Sequence, residues 1–454
     1  MQKLNRRSFL IRSQQAGLAL AAGSSLLTFT QSAGAAAPSE KLILGMVGVR
    51  GRGAQLAAGF AERGDCEIAY IADVDQAVVP PCAAAVAKLQ GKTPKAVQDF
   101  RRMLDDKSVD AIVVATPDHW HALATVWGCQ AGKDVYVEKP ASHSPWEGRK
   151  MVEAARKYNR IVELGTQCRS APYLINAKKY LDSGKLGKIH YCRVYNQKEW
   201  GNVQAVPDAD PPATLDWNMW NGPAPESRFN ANYWRSWNHF WKYSGGDSIN
   251  DAIHQLDVAR WMCGVKVPKS VYSVGGRFAE PGCLETPDTQ IAAYEFDDLV
   301  LTFELTLYTP YMIKSDMALR EGDIYPYWPQ NGTRIEIYGT EALMIVGRHG
   351  DGWQVYGRQH QRNPVILAQE KGRFPDKPHK ADFVDAVRTR RRPNADIEEG
   401  HLSTLLSQFA NISYRLGGQK LLVDAQTETF TNSSAGNALL KREYRKPWVV
   451  PEQV

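Results

Sequence analysis

The chain has 454 residues, with 55 Lys and Arg against 49 Asp and Glu, 43% hydrophobic and 23% charged residues, 36 Gly and 25 Pro. These values describe a globular protein long enough for two or three domains, and they exclude a disordered chain, a collagen and a disulfide-held mini-scaffold. The net charge of +6 falls to +2 without Lys3, Arg6, Arg7 and Arg12, which stand in an acid-free opening stretch; so neutral a body argues against a nucleic-acid or membrane-surface partner.

Residues 1–35 read as an export leader. Asn5-Arg6-Arg7-Ser8-Phe9-Leu10 is followed by an apolar run over residues 16–30 and by Ala33-Gly34-Ala35: a twin arginine, a hydrophobic region and a small-x-small cleavage site. The run is too short and too rich in Ala, Gly, Ser and Thr for a confident spanning helix, which needs about 20 apolar residues. The expected product is a periplasmic or otherwise exported protein with no stable membrane span after cleavage; an uncleaved anchor is the alternative. The seven cysteines are scattered and lack a CxxC, so they read as buried thiols rather than a disulfide framework.

From residue 36 to 166, strands expected at 42–47, 67–72, 111–115, 135–138 and 161–164 alternate with helices at 54–63, 121–131 and 145–158. That order, with nearly continuous apolar strands, predicts an α/β domain with a doubly wound parallel sheet. From 167 to 454 the pattern changes to α+β. Period-two runs at 188–195, 270–278, 290–296, 299–306, 332–338 and 343–346, joined by tight turns, predict a large, mostly antiparallel sheet, with helices at 379–391 and 399–416. Between them, residues 202–244 hold Trp217, Trp220, Trp234, Trp237 and Trp241. The stretch reads as a lid lining a pocket, with Trp234 and Arg235 as candidate substrate contacts, or as a surface loop stapled by aromatics.

The first strand runs into Gly48-Val49-Arg50-Gly51-Arg52-Gly53 and then a helix. Glycines there let the backbone approach a pyrophosphate, which the helix N-terminus then holds. Arg50 takes the middle glycine's place; either Gly51 serves instead, or Arg50 lies along phosphate or adenine, with Arg52 beside it. Asp73, at the end of the second strand, stands where a carboxylate binds both ribose hydroxyls and repels a 2′-phosphate, so NAD is favoured over NADP. Thr116-Pro117-Asp118-His119-Trp120-His121 follows the third long strand. Thr116, Pro117 and His121 are candidate cofactor contacts, and no third ligand stands near the His-x-His, so no metal is expected.

Glu138-Lys139-Pro140 ends the next strand, at the edge where open α/β sheets bind ligands. Lys139 there either passes a substrate hydroxyl's proton or pairs with Glu138 at the surface. Farther on, Asn250, His254, Asp257 and Trp261 fall on one face of a predicted helix, where His254 is either a candidate general base with a carboxylate setting its tautomer or a satisfied histidine at a capped helix N-terminus.

Taken together, the glycine loop, Asp73, Glu138-Lys139-Pro140 and Gly245-Gly246…His254…Asp257 resemble the Gfo/Idh/MocA oxidoreductase family. Gly165-Thr166-Gln167-Cys168-Arg169, Asn221-Gly222-Pro223-Ala224-Pro225 and Tyr444-Arg445-Lys446-Pro447-Trp448 resemble its exported, twin-arginine branch. The resemblance implies an N-terminal Rossmann domain, an open-faced C-terminal sheet and an active site between them. It also implies that Lys139 and His254 are catalytic, that Glu138 and Gln167 lie by the cofactor, and that Arg169 lies by the substrate. The family commonly has Asp where this chain has Asn250; Asp251 or Asp257 would have to replace it.

The expected activity is NAD-dependent hydride transfer from a sugar, cyclitol or glycoside, with cofactor bound tightly enough to survive export and be regenerated in place. The alternatives are a redox-neutral glycosidase or lyase acting through a transient keto-sugar, with His254 or Tyr243 as its extra base, and a non-catalytic sugar-binding protein. Family analogy implies a homo-oligomer.

Overall fold

The computed structural model describes residues 41–200, 203–279, 282–358 and 365–454. The expected twin-arginine leader lies outside them. Among the described residues, no helix is long and apolar enough to cross a membrane. None of the cysteines is in a disulfide, and Cys66, Cys82, Cys129, Cys168 and Cys192 are buried.

The first sheet is six-stranded, in the order β3-β2-β1-β4-β5-β6. Its strands are β1 (Leu42–Val47), β2 (Cys66–Ala72), β3 (Lys95–Val97), β4 (Ala111–Val114), β5 (Asp134–Val137) and β6 (Val162–Leu164), all parallel. β4 and β5 are buried along their whole length because helices cover both faces of the sheet. The chain order reverses between β1 and β4, and a crevice opens at the carboxyl ends of those strands.

The second sheet is ten-stranded, in the order β14-β13-β12-β11-β7-β10-β9-β8-β15-β16. It comprises β7 (Ile189–Gln197), β8 (Ser270–Gly276), β9 (Thr289–Glu295), β10 (Val300–Thr306), β11 (Arg334–Gly339), β12 (Leu343–Gly347), β13 (Trp353–Tyr356), β14 (Ile366–Glu370), β15 (Leu421–Asp424) and β16 (Thr429–Phe430). All its pairings are antiparallel except β7 with β10. Helices Pro172–Asp182, Ile253–Cys263 and Ile397–Arg415 cover one face, where Val194, Leu301, Phe303 and Ile335 join the core. The other face is open, and Tyr272, Val274, Ile291 and Val300 are exposed on it. This alternation is the period-two pattern read in the sequence.

The sequential division at 166/167 is crossed in space. Helix Asp376–Thr389 sends Phe383 into the first domain's core against Phe60 and Tyr136, and the C-terminal Trp448 packs on Trp120. The expected single helix face over 250–261 is also revised. Asp247–Asn250 forms one turn, and a separate helix begins at Ile253. The carbonyl of Asn250 accepts from Lys139 Nζ and that of Asp251 from Arg348, so side chains take oxygens that a continuous helix would use.

Candidate active site

The cleft at the switch point encloses about 380 Å³ and is walled by the glycine loop, Asp73, Thr116, Pro117, Glu138, Lys139 and the tryptophans 220, 234 and 237. Two glycines of the loop are demanded by space. A Cβ on Gly53 would stand 2.0 Å from the Gly48 carbonyl oxygen, and Gly48 has φ +81° and lies against Ala115. Gly51 has φ +50° and nothing within 4 Å of its missing Cβ, which leaves open space before the N-terminus of helix Arg52–Ala61. A dinucleotide phosphate fits such a cradle.

Asp73 faces the same cleft. Its Oδ2 accepts from Val49 N at 2.8 Å and its Oδ1 from Asp75 N at 2.9 Å, which fixes the carboxylate and leaves each oxygen further lone pairs for ribose hydroxyls. Arg50 pairs with Asp75 and lies 4.6 Å above the Trp234 ring, so it bridges the cleft's outer lip to the tryptophan-rich segment. Arg235 stacks outside the same ring at 5.8 Å. Arg52 ties Glu138 (2.8 Å) to Asp376 (2.6 Å), and with its amide oxygen and nitrogen exchanged Gln167 accepts from Arg52 at 2.7 Å while donating to Gly165 O. Arg52, Glu138 and Gln167 therefore form a scaffold beneath the cleft. Both ring nitrogens of His121 face carbonyl oxygens, those of Pro140 and Thr116, and His119 bonds Trp220 O. No group of three His, Cys, Asp or Glu able to hold a metal occurs among the described residues.

Lys139 lies in the cleft immediately after β5. Its Nζ donates to Asn250 Oδ1 at 2.7 Å and to Asn250 O at 2.5 Å, so the ammonium is aimed by a neutral amide rather than a carboxylate. His254 lies four residues on, buried, with Nδ1 unpartnered. Burial first, then the charges of Arg348 and Lys139, hold its pKa well below the ordinary histidine value, so the ring is a neutral proton acceptor at physiological pH.

Four residues expected to act in or beside this pair are engaged elsewhere. Asp257 does not reach His254: it accepts from Arg169 Nε at 2.8 Å and Ser403 Oγ at 2.6 Å. Arg169 correspondingly is no substrate contact here. It is 5% exposed and bound to Asp257 and Glu399, because the short helix Gln167–Ser170 turns it toward helix Ile253–Cys263. The Asp251 carboxylate is held by Lys198, Lys314 and Arg348, and it acts on the His254 ring as a nearby charge. Tyr243 is fully buried, donates to Asn221 Oδ1 at 2.8 Å and packs on Trp220; it cannot act as a base in the cleft.

Two site residues escaped the sequence reading. Asp118, considered there only beside a metal, lines the cleft with a carboxyl that burial pushes up to about 6, against the hydrogen bond from Ser244. His349 arrives from the turn between β12 and β13, and its ring meets that of His254 edge-on at 4.4 Å. Only the position of Asp118 after a buried strand signalled it; nothing local signalled His349.

Residues 42–166 match the family model described as an oxidoreductase family, NAD-binding Rossmann fold, and residues 178–410 match its C-terminal alpha/beta domain. The chain belongs to the Gfo/Idh/MocA oxidoreductase family. It is 27% identical over 277 residues to levoglucosan dehydrogenase of Pseudarthrobacter phenanthrenivorans, covering 59% of this chain and 62% of that protein. To myo-inositol 2-dehydrogenase of Thermotoga maritima it is 22% identical, covering 70% and 81%. The match thus spans under two thirds of the levoglucosan enzyme. Among solved structures, levoglucosan dehydrogenase with NADH and levoglucosan superimposes with a TM-score of 0.62 at 19% identity, covering 84% of this chain and 99% of that one. WlbA dehydrogenase from Bordetella pertussis with NADH and UDP-GlcNAcA gives 0.60 at 22%, covering 85% and 99%. These likenesses show the fold.

Proposed function

We propose that this protein is an exported, NAD-dependent dehydrogenase of a sugar or cyclitol hydroxyl that keeps its cofactor bound. The observation that carries the reading is the ammonium of Lys139, held in the cofactor cleft by Asn250, with the neutral His254 beyond it. NAD, when bound, supplies the hydride acceptor. Gly48, Gly51 and the helix at Arg52 would hold its pyrophosphate, and Asp73 its ribose; the charge of Asp73 favours NAD over NADP. The ammonium of Lys139 orients the reacting hydroxyl by donating to its oxygen, and the unprotonated ring of His254 accepts the single proton that the hydroxyl loses as the hydride leaves its carbon. Family relatives named for levoglucosan and inositol dehydrogenation support the substrate class.

Export rests on the twin-arginine leader of residues 5–10 and 16–35. The open face bearing Tyr272, Val274, Ile291 and Val300 supports assembly with further copies. The test is to purify the native exported protein without added cofactor, denature it and assay the supernatant for nicotinamide. Stoichiometric NAD or NADH supports retention. None released, and no hydride transfer with any sugar after NAD is supplied, overturns the proposal. Release of an aglycone without net oxidation would instead identify redox-neutral cleavage.

A further inference from the structure

A second cavity, of about 290 Å³, lies beside the cofactor cleft and, among the described residues, shares no wall residue with it. Its walls come from four separate parts of the chain: the start of helix Pro145–Lys157, the segment 241–249, the end of helix Ile397–Arg415 and residues 439–443. Ser244 lines it and donates to Asp118 Oδ2, and Asp118 lines the cleft, so a hydrogen bond joins the two walls.

Residues lining this cavity hold buried polar atoms that no protein group satisfies: His143 Nδ1, Gln408 Oε1 and Arg442 Nη1. Buried groups of this kind normally have a hydrogen-bond partner. The bonds made by the rest of each side chain fix what these atoms require. His143 Nε2 faces the Trp241 carbonyl oxygen at 2.8 Å and so carries the ring's proton, while burial pushes the pKa down to about 3; Nδ1 is therefore a bare acceptor. Gln408 Nε2 donates to Ser142 O at 3.0 Å, which makes Oε1 a second acceptor. Arg442 gives Nε to Glu147 Oε1 and Nη2 to the His119 carbonyl oxygen, both at 2.7 Å, and Nη1 remains as a donor.

We infer that this cavity is a second binding site, separate from the cofactor cleft, for a single neutral sugar or cyclitol ring. Hydroxyl groups donate, as His143 Nδ1 and Gln408 Oε1 require, and they also accept, as Arg442 Nη1 requires. An anion would instead meet two lone pairs, and the nearby cations Arg442 and Lys441 are already paired with Glu147 and Glu452. Trp241, braced by the Arg415 guanidinium 5.2 Å from its ring, gives the cavity an aromatic wall for the C–H face of such a ligand. The volume stands at the lower end of ordinary ligand pockets, about 300–1,000 Å³, which suits one ring rather than a chain. The inference goes beyond the dehydrogenase reading and does not rest on it.

The experiment dialyses full-length, NAD-loaded protein to equilibrium against radiolabelled D-glucose, D-galactose, myo-inositol and, separately, inorganic phosphate. At least one of the neutral rings is expected to bind. Gln408→Met, which removes an acceptor at nearly constant volume, should weaken that binding about 3- to 10-fold, and Leu439→Trp, which fills the cavity, should abolish it. The same binding should persist in Lys139→Met, which alters the cleft alone, and its persistence in protein that transfers no hydride would uphold the site while the dehydrogenase reading falls. Crystals of the unaltered protein soaked in the tightest of these ligands read the position directly, whatever the stability of the variants. A ring bonded to His143 Nδ1 and Gln408 Oε1 upholds the inference. Water alone at those atoms, phosphate bound in preference to every neutral ring, or sugar binding that only Lys139→Met disturbs would overturn it.

Discussion

Lys139 Nζ is bound twice by Asn250, through the side-chain oxygen at 2.7 Å and the backbone oxygen at 2.5 Å. The amide therefore does the aiming that a carboxylate would do, without adding charge. Asn250→Ala should lower kcat about 10- to 100-fold with NAD affinity unchanged, because it removes only orientation of the group that aligns the reacting hydroxyl. Asn250→Asp adds an anion against the ammonium and should move the pH of half-maximal oxidation upward by about one unit. Stopped-flow pH profiles of both variants check this.

On the proposed function, Asp73 is the residue that selects NAD over NADP. Asp73→Ala should weaken NAD binding about 10- to 100-fold through loss of the ribose contacts, while NADP, relieved of repulsion, loses less or gains. Titration of each cofactor against intrinsic tryptophan fluorescence measures the ratio.

The pair Arg169–Asp257 is buried at both ends, with side-chain exposures of 5% and 0%. Asp257→Asn leaves the guanidinium without its main counter-charge and should cost about 3–5 kcal/mol of stability. Once folded, the variant should keep its kcat/KM, since neither side chain reaches the cleft. Urea denaturation and steady-state kinetics on the same preparation separate the two effects.

Buried histidines make the fold acid-sensitive. His119, His143, His239, His254, His349, His379 and His401 are all held below the ordinary value of 6.5, first by burial, His143 at about 3 and His379 at about 4. Below pH 6.5 the unfolded chain binds protons that the folded one refuses, so their stabilising contribution is complete above that pH and is lost as pH falls toward the folded values. Asp118, raised to about 6 from 3.8, works in the opposite sense: the folded state holds its proton between those values. The histidines dominate by number. His143→Gln should flatten the stability profile by about 1.4 kcal/mol per pH unit between pH 6.5 and about 4, measured by denaturant unfolding across that range.

Much of the first domain was legible in the sequence because its signals are local. β1 and β4 are continuous apolar runs, β5 is apolar after Asp134, and the Gly48–Gly53 loop sits where a glycine backbone is sterically required. The helix Val79–Gln90 was not read, because its Pro-Pro-Cys-Ala opening carries little amphipathic signal. β13 and β14 were missed because a long, partly polar segment surrounds them. Within the candidate site, motif context points to Lys139 and His254. The engagement of Asp257 with Arg169 was not readable, since spacing along a helix cannot tell which neighbouring element supplies a partner. His349 comes from a distant turn of the second sheet, and only the fold brings it to His254.

The measurement that tests the central claim most directly follows a hydrogen rather than a rate. Enzyme carrying NAD is mixed with a sugar substrate deuterated at every carbon, and the reduced nicotinamide is isolated after a single turnover. The account predicts one deuterium on the reduced ring, a slowed hydride step and loss of both in Lys139→Met, which still binds NAD. Turnover of the sugar with no deuterium on the nicotinamide, or unchanged transfer in Lys139→Met, would contradict it.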